Sequence, residues 1–229
     1  MGLFDLTLDE NVAVVTMNSG ENRFNFSFFE AFLKMLDEIE RETEASALVV
    51  TSAHEKIFSN GIDLDWLIPA VQKGGAAINK KFQSQMYALF RRILTYPMIT
   101  VAAINGHAFA GGAIMACAFD FRFMRSDRGW FCFPEVDIKI PFTQTLNALV
   151  KKAIPMYKLI EMQYTGKRLT ARECEEHHIV VKACHLDDLM DEVLAFAKAF
   201  NKDRESLRTM KEMLSLDIIR VMEQDLASE

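Results

Sequence analysis

Two short glycine-containing segments hold the residues best suited to catalysis by backbone amides. The segment NGHAFAGGAIMACAFD, from Asn105 to Asp120, contains a Gly111–Gly112 pair and no charge before its last residue. The segment HEKIFSNGIDLDWL, residues 54–67, places Gly61 just before a predicted helix start. Glycine lets the chain turn tightly and leaves N–H groups unpaired at a helix beginning, where the dipole is positive. Two such amides directed at one point would stabilise a developing oxyanion.

The carboxylate of Glu135 is the candidate group for proton transfer. It lies in the segment FPEVDI, residues 133–138, shortly after Trp130 and Phe131. Apolar surroundings disfavour the charged carboxylate and raise its pKa towards the range that suits proton exchange. A glutamate in a loop is often only a solvated side chain, so its interpretation as a base depends on the other motifs.

Other polar residues have simpler interpretations. The adjacent histidines His177 and His178 point to different sides of a helix without a third ligand, which favours a helix C-terminal cap over a metal site. Asp63 fits a helix N-cap and Asp65 the first turn of that helix. His107, in the turn before the glycine pair, is expected to pack or hydrogen-bond near the substrate.

The elements that must position these residues alternate between strand and helix. Short apolar runs, mostly β-branched, predict strands at residues 12–17, 47–52, 99–104 and 119–124. Apolar residues at helical spacing predict helices over 29–39 and 82–94, and a T-x-x-E capping box at Thr170 starts another. Alternation of this kind favours an α/β domain with crossover connections.

An uncharged stretch from Ile93 to Phe119 is long enough to cross a bilayer as one helix. Pro97, the Asn105–Gly106 turn and the glycine pair interrupt it. We therefore interpret it as a buried strand followed by a buried helix and expect no membrane span.

Composition narrows the class of protein further. The chain has 229 residues, half of them apolar, which indicates a single globular domain. A net charge of −6 without a basic run argues against a nucleic-acid partner. Four cysteines without C-x-x-C spacing are interpreted as buried thiols of a reducing compartment.

We expect no secretory signal and a cytoplasmic location, with the peroxisome or mitochondrion left open for a eukaryotic source. The final Ala-Ser-Glu is not a peroxisomal targeting tripeptide.

Five motifs, in this order and at these separations, resemble the crotonase (enoyl-CoA hydratase/isomerase) superfamily. They are ENRFN (21–25), KIFSNGIDL (56–64), AAINGHAFAGGAIMACAFDFRFM (102–124), FPEVDI (133–138) and TGKRLTARECEEHHIV (165–180). The resemblance implies an α/β, crotonase-like fold of repeated ββα units. Apolar residues at helical spacing after Leu186 predict a helical C-terminal region. We divide the chain into an acyl-CoA-binding core, residues 1–185, and a helical C-terminal segment, residues 186–229.

The resemblance also implies acyl-CoA thioester substrates whose carbonyl oxygen lies between two backbone amides. At matching positions these amides belong to Ile62 and Gly111. The residues predicted to bind substrate are Lys56, Ser59, Asn60, Gly61, Asp63, Leu64 and His107. No metal and no cofactor are expected, since coenzyme A is part of the substrate. A homotrimer or a dimer of trimers is implied.

The number of carboxylates separates the reactions of this superfamily. Many hydratases use two glutamates, but here Ile114 occupies the first position and Glu135 the second. One base is enough to take a proton from C2 and return it at C4, so the pattern resembles Δ3,Δ2-enoyl-CoA isomerases. Two alternatives stay open: a hydratase or thioester hydrolase that uses Glu135 with an ordered water, and a non-catalytic acyl-CoA-binding protein.

Two departures from the family pattern affect the expected site. Lys139 stands in the region after Glu135 where the family commonly has a glycine, and the loop is one residue shorter. The direction of Glu135 is therefore left open by the sequence. His178 replaces a frequent glycine at a helix end.

Overall fold

The computed structural model describes residues 2–227, so the end of the C-terminal tripeptide lies outside the described residues. The strands are β1 (Phe4–Asp9), β2 (Val12–Met17), β3 (Arg23–Phe24), β4 (Ala47–Ser52), β5 (Ile57–Ser59), β6 (Gly61–Ile62), β7 (Ile99–Ile104), β8 (His107–Phe109), β9 (Phe121–Arg125), β10 (Phe131–Cys132) and β11 (Lys182–Cys184). The helices are α1 (Phe26–Glu42), α2 (Leu64–Gly74), α3 (Ala76–Leu94), α4 (Gly111–Ala118), α5 (Gln144–Ala153), α6 (Met156–Thr165), α7 (Ala171–Glu176), α8 (Leu186–Lys198), α9 (Arg204–Leu214) and α10 (Leu216–Ala227).

A six-stranded sheet in the order β1-β2-β4-β7-β9-β11 forms the centre of the molecule. β1 is antiparallel to β2, and the remaining neighbours are parallel. A second, parallel sheet has the order β10-β8-β5, and β3 pairs with β6. The strands of both parallel sheets are connected through helices, so the predicted α/β class with crossovers is confirmed.

The main core lies on the face of the sheet that α1 and α3 cover. α1 begins at Asn25, whose side chain accepts a hydrogen bond from the Phe28 N–H, and it buries one apolar face. The buried residues of α1 are Phe28, Phe29, Phe32, Leu36 and Ile39. Burial of each such side chain contributes about 1.5–3 kcal/mol to the hydrophobic term. Phe24 packs on this cluster, with its ring centroid 5.1 Å from that of Phe28.

Helix α8 covers the opposite face of the sheet. Its buried residues Leu189, Val193 and Ala197 pack against Val49 and Val101 of the central strands. Both faces of the central strands are therefore covered, which explains why these strands are nearly continuous runs of apolar residues.

The predicted strands at 12–17, 47–52 and 99–104 are confirmed with the same bounds. The prediction of a strand over 119–124 was wrong by two residues at its start and by one at its end, because the strand runs from Phe121 to Arg125. The reason lies in Asp120, whose carboxylate accepts hydrogen bonds from the N–H and hydroxyl of Thr100 at 2.8 and 2.9 Å. This side-chain bond fixes a turn between α4 and the strand.

The predicted helix caps are confirmed. Thr170 and Glu173 form a complete capping box at the start of α7. Asp63 caps α2 by accepting a hydrogen bond from the Trp66 N–H, with Asp65 in the first turn. His178 adopts φ 56° just after α7, the left-handed conformation expected of a residue in place of glycine.

The uncharged stretch from Ile93 to Phe119 is divided among the end of α3, strands β7 and β8, and α4. In residues 2–227 no helix has the length and apolar character needed to cross a membrane. The cysteines Cys117, Cys132, Cys174 and Cys184 are all free and buried.

Candidate active site

An apolar cavity of about 240 Å³ lies between the start of α4, helix α3 and the loop that follows β10. It is lined by Asn60, Ile62, Leu64, Met86, Phe90, Phe109, Ala110, Gly111, Ile114, Pro134, Glu135, Ile138, Ile140, Pro141, Phe142 and Leu146. Among these described lining residues, Glu135 alone carries an ionisable side chain. The cavity therefore brings together both predicted oxyanion residues, Ile62 and Gly111, and the predicted base.

Gly111 supplies the first N–H of α4, which has no acceptor within the helix. The preceding residue, Ala110, gives α4 no side-chain cap, and its carbonyl accepts a hydrogen bond from the Ile114 N–H at 3.0 Å. The N–H groups before Ile114 have no partner within the helix. Ala110 has φ 48°, which is costly for a residue with a side chain. Its N–H donates to the Cys132 carbonyl at 3.0 Å, which holds the strained residue in place.

The pairing of β3 and β6 fixes the direction of the Ile62 N–H. The neighbouring Asp63 N–H donates to the Phe24 carbonyl at 3.1 Å, on the β3 side. Successive N–H groups of an extended chain point in opposite directions, so the Ile62 N–H is directed away from β3. Ile62 lines the cavity on that side.

Gly61 brings the two amide-bearing segments into contact. It has φ 72°, and a Cβ added to it would lie 2.4 Å from the Gly111 nitrogen. The loop before it is fixed by the Ser59 hydroxyl, which donates to the Asn22 carbonyl at 2.8 Å and accepts from the Gly61 N–H at 3.1 Å. The chain can approach this closely only because Gly61 has no side chain.

Glu135 lies in a single 3-10 turn, Pro134–Val136, with one carboxylate oxygen facing an apolar site. Its Oε2 atom is buried and has no hydrogen-bond partner among the described residues. Burial raises the pKa of Glu135 to about 7, because the apolar site disfavours the charged form. Such a group can both accept and donate a proton near neutral pH.

The sequence predicted the direction of this pKa shift but identified the wrong neighbours in part. Trp130 is partly exposed and lines a different cavity, and Val136 is also exposed. The apolar residues that line the cavity with Glu135 include Ile114, Ile138 and Phe142. Ile114 is distant in the chain, and Ile138 and Phe142 follow the 3-10 turn.

The shortened loop after Glu135 closes through Lys139. This lysine has φ 60°, the left-handed conformation that glycine adopts more easily. The Ile140 N–H donates to the Glu135 carbonyl at 3.0 Å, which closes the turn. With the turn closed in this way, Glu135 lines the cavity.

The other residues predicted to bind substrate lie in three places. Asn60 and Leu64 line the cavity. Ser59, Gly61 and Asp63 lie behind its wall, where they fix the loop and cap α2.

Lys56 and His107 line a separate cavity of about 420 Å³ that also includes Arg128. Burial and the nearby Arg168 and Arg128 lower the pKa of His107. Its ring centroid lies 5.0 Å from that of Phe109, which lines the main cavity. His107 is therefore one side chain removed from the cavity of Glu135.

Several cavity residues were not predicted from the sequence. Met86 and Phe90 come from α3, and Phe142 and Leu146 come from the loop before α5 and from α5 itself. The helical spacing of apolar residues marked the buried face of α3. That pattern does not distinguish a side chain that lines a cavity from one that fills the core.

The raised pKa of Glu135 predicts a stability that depends on pH. The folded-state pKa is raised from 4.5 to about 7, so ionisation opposes folding fully above pH 7 and not at all well below pH 4.5. We expect Glu135→Gln to increase the free energy of unfolding by on the order of 2–3 kcal/mol at pH 8, with little change at pH 4.5. Urea denaturation at both pH values measures this. An equal effect at the two pH values would contradict the apolar site.

Comparison with known proteins identifies similar sequences. The sequence model described as Enoyl-CoA hydratase/isomerase matches residues 7–229. The chain is 35% identical to "Enoyl-CoA delta isomerase 2, peroxisomal" from Arabidopsis thaliana, over 72% of this chain and 70% of that protein. It is 33% identical to "Putative enoyl-CoA hydratase" from Thermus thermophilus, over 89% of this chain and 80% of that protein.

Solved structures agree with the crotonase-like fold predicted from the motifs. A crystal structure of an enoyl-CoA hydratase/isomerase family protein from Pseudomonas syringae matches with a TM-score of 0.88 at 21% identity, covering 99% of this chain and 96% of that chain. An enoyl-CoA hydratase from Mycobacterium marinum matches with a TM-score of 0.86 at 19% identity, covering 99% and 97%. The predicted fold is therefore confirmed.

Proposed function

The chain belongs to the enoyl-CoA hydratase/isomerase family, and we propose that it converts 3-enoyl-CoA to trans-2-enoyl-CoA with Glu135 as the single base. The observation that supports this is the composition of the cavity. Glu135 is the one ionisable side chain among its described lining residues, and Ile62 and Gly111 line the same space. The Arabidopsis thaliana relatives at 35% and 34% identity carry the name enoyl-CoA delta isomerase, which agrees with the proposal.

The proposed reaction moves one proton between two carbons. The ionised Glu135 takes a proton from C2, and the electron pair of that C–H bond passes to the thioester oxygen to give a dienolate. The N–H groups of Ile62 and Gly111 donate to this oxygen and stabilise its charge. Protonated Glu135 then returns the proton to C4, the double bond forms between C2 and C3, and the carboxylate is restored. A pKa of about 7 suits both steps.

Hydration of a 2-enoyl-CoA is the second candidate, because the relative from Thermus thermophilus is named a putative enoyl-CoA hydratase. Water addition benefits from a second group that positions and activates the water. Ile114 lines the cavity where that group would stand, and it has no proton to give. Isomerisation is therefore preferred, and a protein that binds acyl-CoA without turnover is the remaining alternative.

Incubation of the purified protein with 3-hexenoyl-CoA tests the proposal. We expect 2-hexenoyl-CoA as the product, without 3-hydroxyhexanoyl-CoA. Hydroxyacyl product from 2-hexenoyl-CoA at a comparable rate would favour the hydratase, and release of free CoA would favour the thioester hydrolase. Binding without any product would favour the non-catalytic alternative.

The proposal includes a homo-oligomer, a trimer or a dimer of trimers, and no cofactor beyond the CoA of the substrate. Large apolar side chains on α9 are exposed and available for contact between subunits. They are Met210, Met213 and Leu214, with exposed fractions of 68%, 69% and 87%. A stable monomer at micromolar concentration in light scattering would contradict the assembly.

A further inference from the structure

The carboxyl-terminal end of α4 is capped by two cationic side chains from other elements. Lys152 of α5 donates from Nζ to the Phe119 carbonyl at 2.8 Å, with the carbonyls of Cys117 and Ala118 at 3.4 and 3.5 Å. Arg122 of β9 donates from a guanidinium nitrogen to the same Phe119 carbonyl at 2.9 Å. The sequence of α4 is GGAIMACA, so its own side chains provide no charge at either end.

The two ends of α4 have opposite roles. Gly111, which supplies the first N–H, lines the cavity, and the last carbonyls accept hydrogen bonds from the two cations. Eight residues separate the ends by about 12 Å. All eight residues of α4 are buried, so the space between the ends is apolar and screens charge poorly. A positive charge that offsets the negative end of the helix dipole leaves the positive end facing the cavity.

The charge at this end of α4 is offset only in part, by the carboxylate of Asp120. The Asp120 carboxylate is itself bonded to Thr100 and forms an ion pair with Lys211 at 2.5 Å. Among the described residues, neither Lys152 nor Arg122 takes part in an ion pair. Burial and the nearby Arg122 lower the pKa of Lys152 to about 8, so the ammonium is cationic at neutral pH although its site disfavours the charge.

We propose that Lys152, supported by Arg122, is a positioning residue that strengthens the oxyanion site from the far end of α4. The inference depends on the proposed function, since it assumes an enolate oxygen at Gly111. About 12 Å of helix and a hydrogen bond at each end place this charge roughly 15–18 Å from the enolate oxygen, and at an effective dielectric constant near 20 it changes the stability of the anion by roughly a factor of five. Lys152 would therefore act on the reaction without contacting the substrate.

Acetoacetyl-CoA provides a direct measurement of this effect. Its C2 proton is acidic, and its enolate absorbs in the near ultraviolet more strongly than the keto form, so the enolate-to-keto ratio of the bound ligand can be read spectroscopically. We expect Lys152→Met to lower this ratio roughly fivefold at a fixed pH near 7. We expect kcat for 3-hexenoyl-CoA to fall by a similar factor, with KM little changed.

Two further variants separate the charge from the cap. Lys152→Gln retains an N–H donor for the Phe119 carbonyl but removes the charge, so it is expected to show the same loss of enolate with less loss of stability. Lys151→Met makes the same change one residue earlier on α5, where the side chain lines an outer cavity. It is expected to leave the enolate ratio unchanged.

The outcomes distinguish the inference from the function on which it depends. If Lys152→Gln folds and binds acetoacetyl-CoA with the enolate ratio of the unmodified protein, Lys152 is only a helix cap and the inference is overturned. If the unmodified protein itself binds acetoacetyl-CoA without increasing its enolate fraction over that in free solution, the oxyanion site and the proposed function fail together.

Discussion

Replacing Glu135 by glutamine is expected to lower kcat for isomerisation of 3-hexenoyl-CoA by roughly 10²- to 10⁴-fold, the loss typical of a missing general base. Glutamine keeps the shape of the side chain but cannot accept the C2 proton. The Oε2 atom of the carboxylate is buried, and no other described ionisable side chain lines the main cavity, so that cavity offers no second base. Steady-state kinetics of the purified variant measures the loss.

Binding should be unaffected by the same change. Hexanoyl-CoA has no double bond to move, and its affinity for Glu135→Gln is expected to match that for the unmodified protein. Glu176→Gln, at an exposed position on α7, makes the same chemical change outside the cavity and should alter neither quantity. A Glu135→Gln protein with undiminished turnover would exclude the single-base mechanism and direct attention to His107.

The pH dependence of the unmodified enzyme is a further consequence of the same carboxylate. Since the pKa of Glu135 is about 7, the ionised base is the minor form below that pH. The value of kcat/KM should therefore fall about tenfold for each pH unit below 7. Stability changes in the opposite direction: as the pH falls below 7 the rate decreases, but the contribution of Glu135 to the free energy of unfolding increases. The ionised carboxylate catalyses the reaction and also opposes folding.

Local signals in the sequence predicted the elements that hold the site. The capping box of Thr170 and Glu173 and the N-cap Asp63 depend on hydrogen bonds within a few residues, so residue type and spacing are sufficient to identify them. Strand β7 is a short β-branched run between clear breaks, and its bounds were predicted correctly. The start of β9 was not, because the Asp120 to Thr100 bond joins residues 20 positions apart.

Proximity in the chain was a poor guide to proximity in the site. His107 is four residues before Gly111, but it begins an extended strand that rises about 3.3 Å per residue, and its side chain lines a separate cavity. Trp130 is five residues before Glu135 and lines that separate cavity too. The residues that surround Glu135, such as Ile114 and Phe142, reach it through the packing of α4 and the loop before α5.

The two predicted oxyanion residues were identified in a different way. Two glycine motifs identified Ile62 and Gly111 through family resemblance, and both line the cavity. No pattern in the sequence predicted the strained backbone of Ala110, which precedes α4. Its φ of 48° is held by the hydrogen bond from its N–H to the Cys132 carbonyl, a contact between residues distant in the chain. The hydrogen bond of Lys152 at the other end of α4 could not be predicted from the sequence either, because 33 residues separate Lys152 from Phe119.

Gly61→Ala is expected to abolish most of the activity by displacing an amide that belongs to another segment. The new Cβ would lie 2.4 Å from the Gly111 nitrogen and 2.8 Å from its Cα, distances that require the start of α4 to move. A displaced Gly111 N–H no longer meets the enolate oxygen. Loss of one oxyanion donor lowers kcat by roughly 10²- to 10³-fold. Kinetics with 3-hexenoyl-CoA measures this loss.

Gly20→Ala is the matched control for backbone strain. Gly20 also has a positive φ, 55°, but a Cβ added there would meet nothing within 4 Å. Alanine at either position bears a conformational cost of about 1 kcal/mol, whereas only Gly61→Ala should also move Gly111. We therefore expect a modest loss of stability and full activity for Gly20→Ala, and a far larger loss of kcat than of folded protein for Gly61→Ala. A folded Gly61→Ala variant with the kcat of Gly20→Ala would exclude the Gly111 amide from the mechanism, independently of the result for Glu135→Gln.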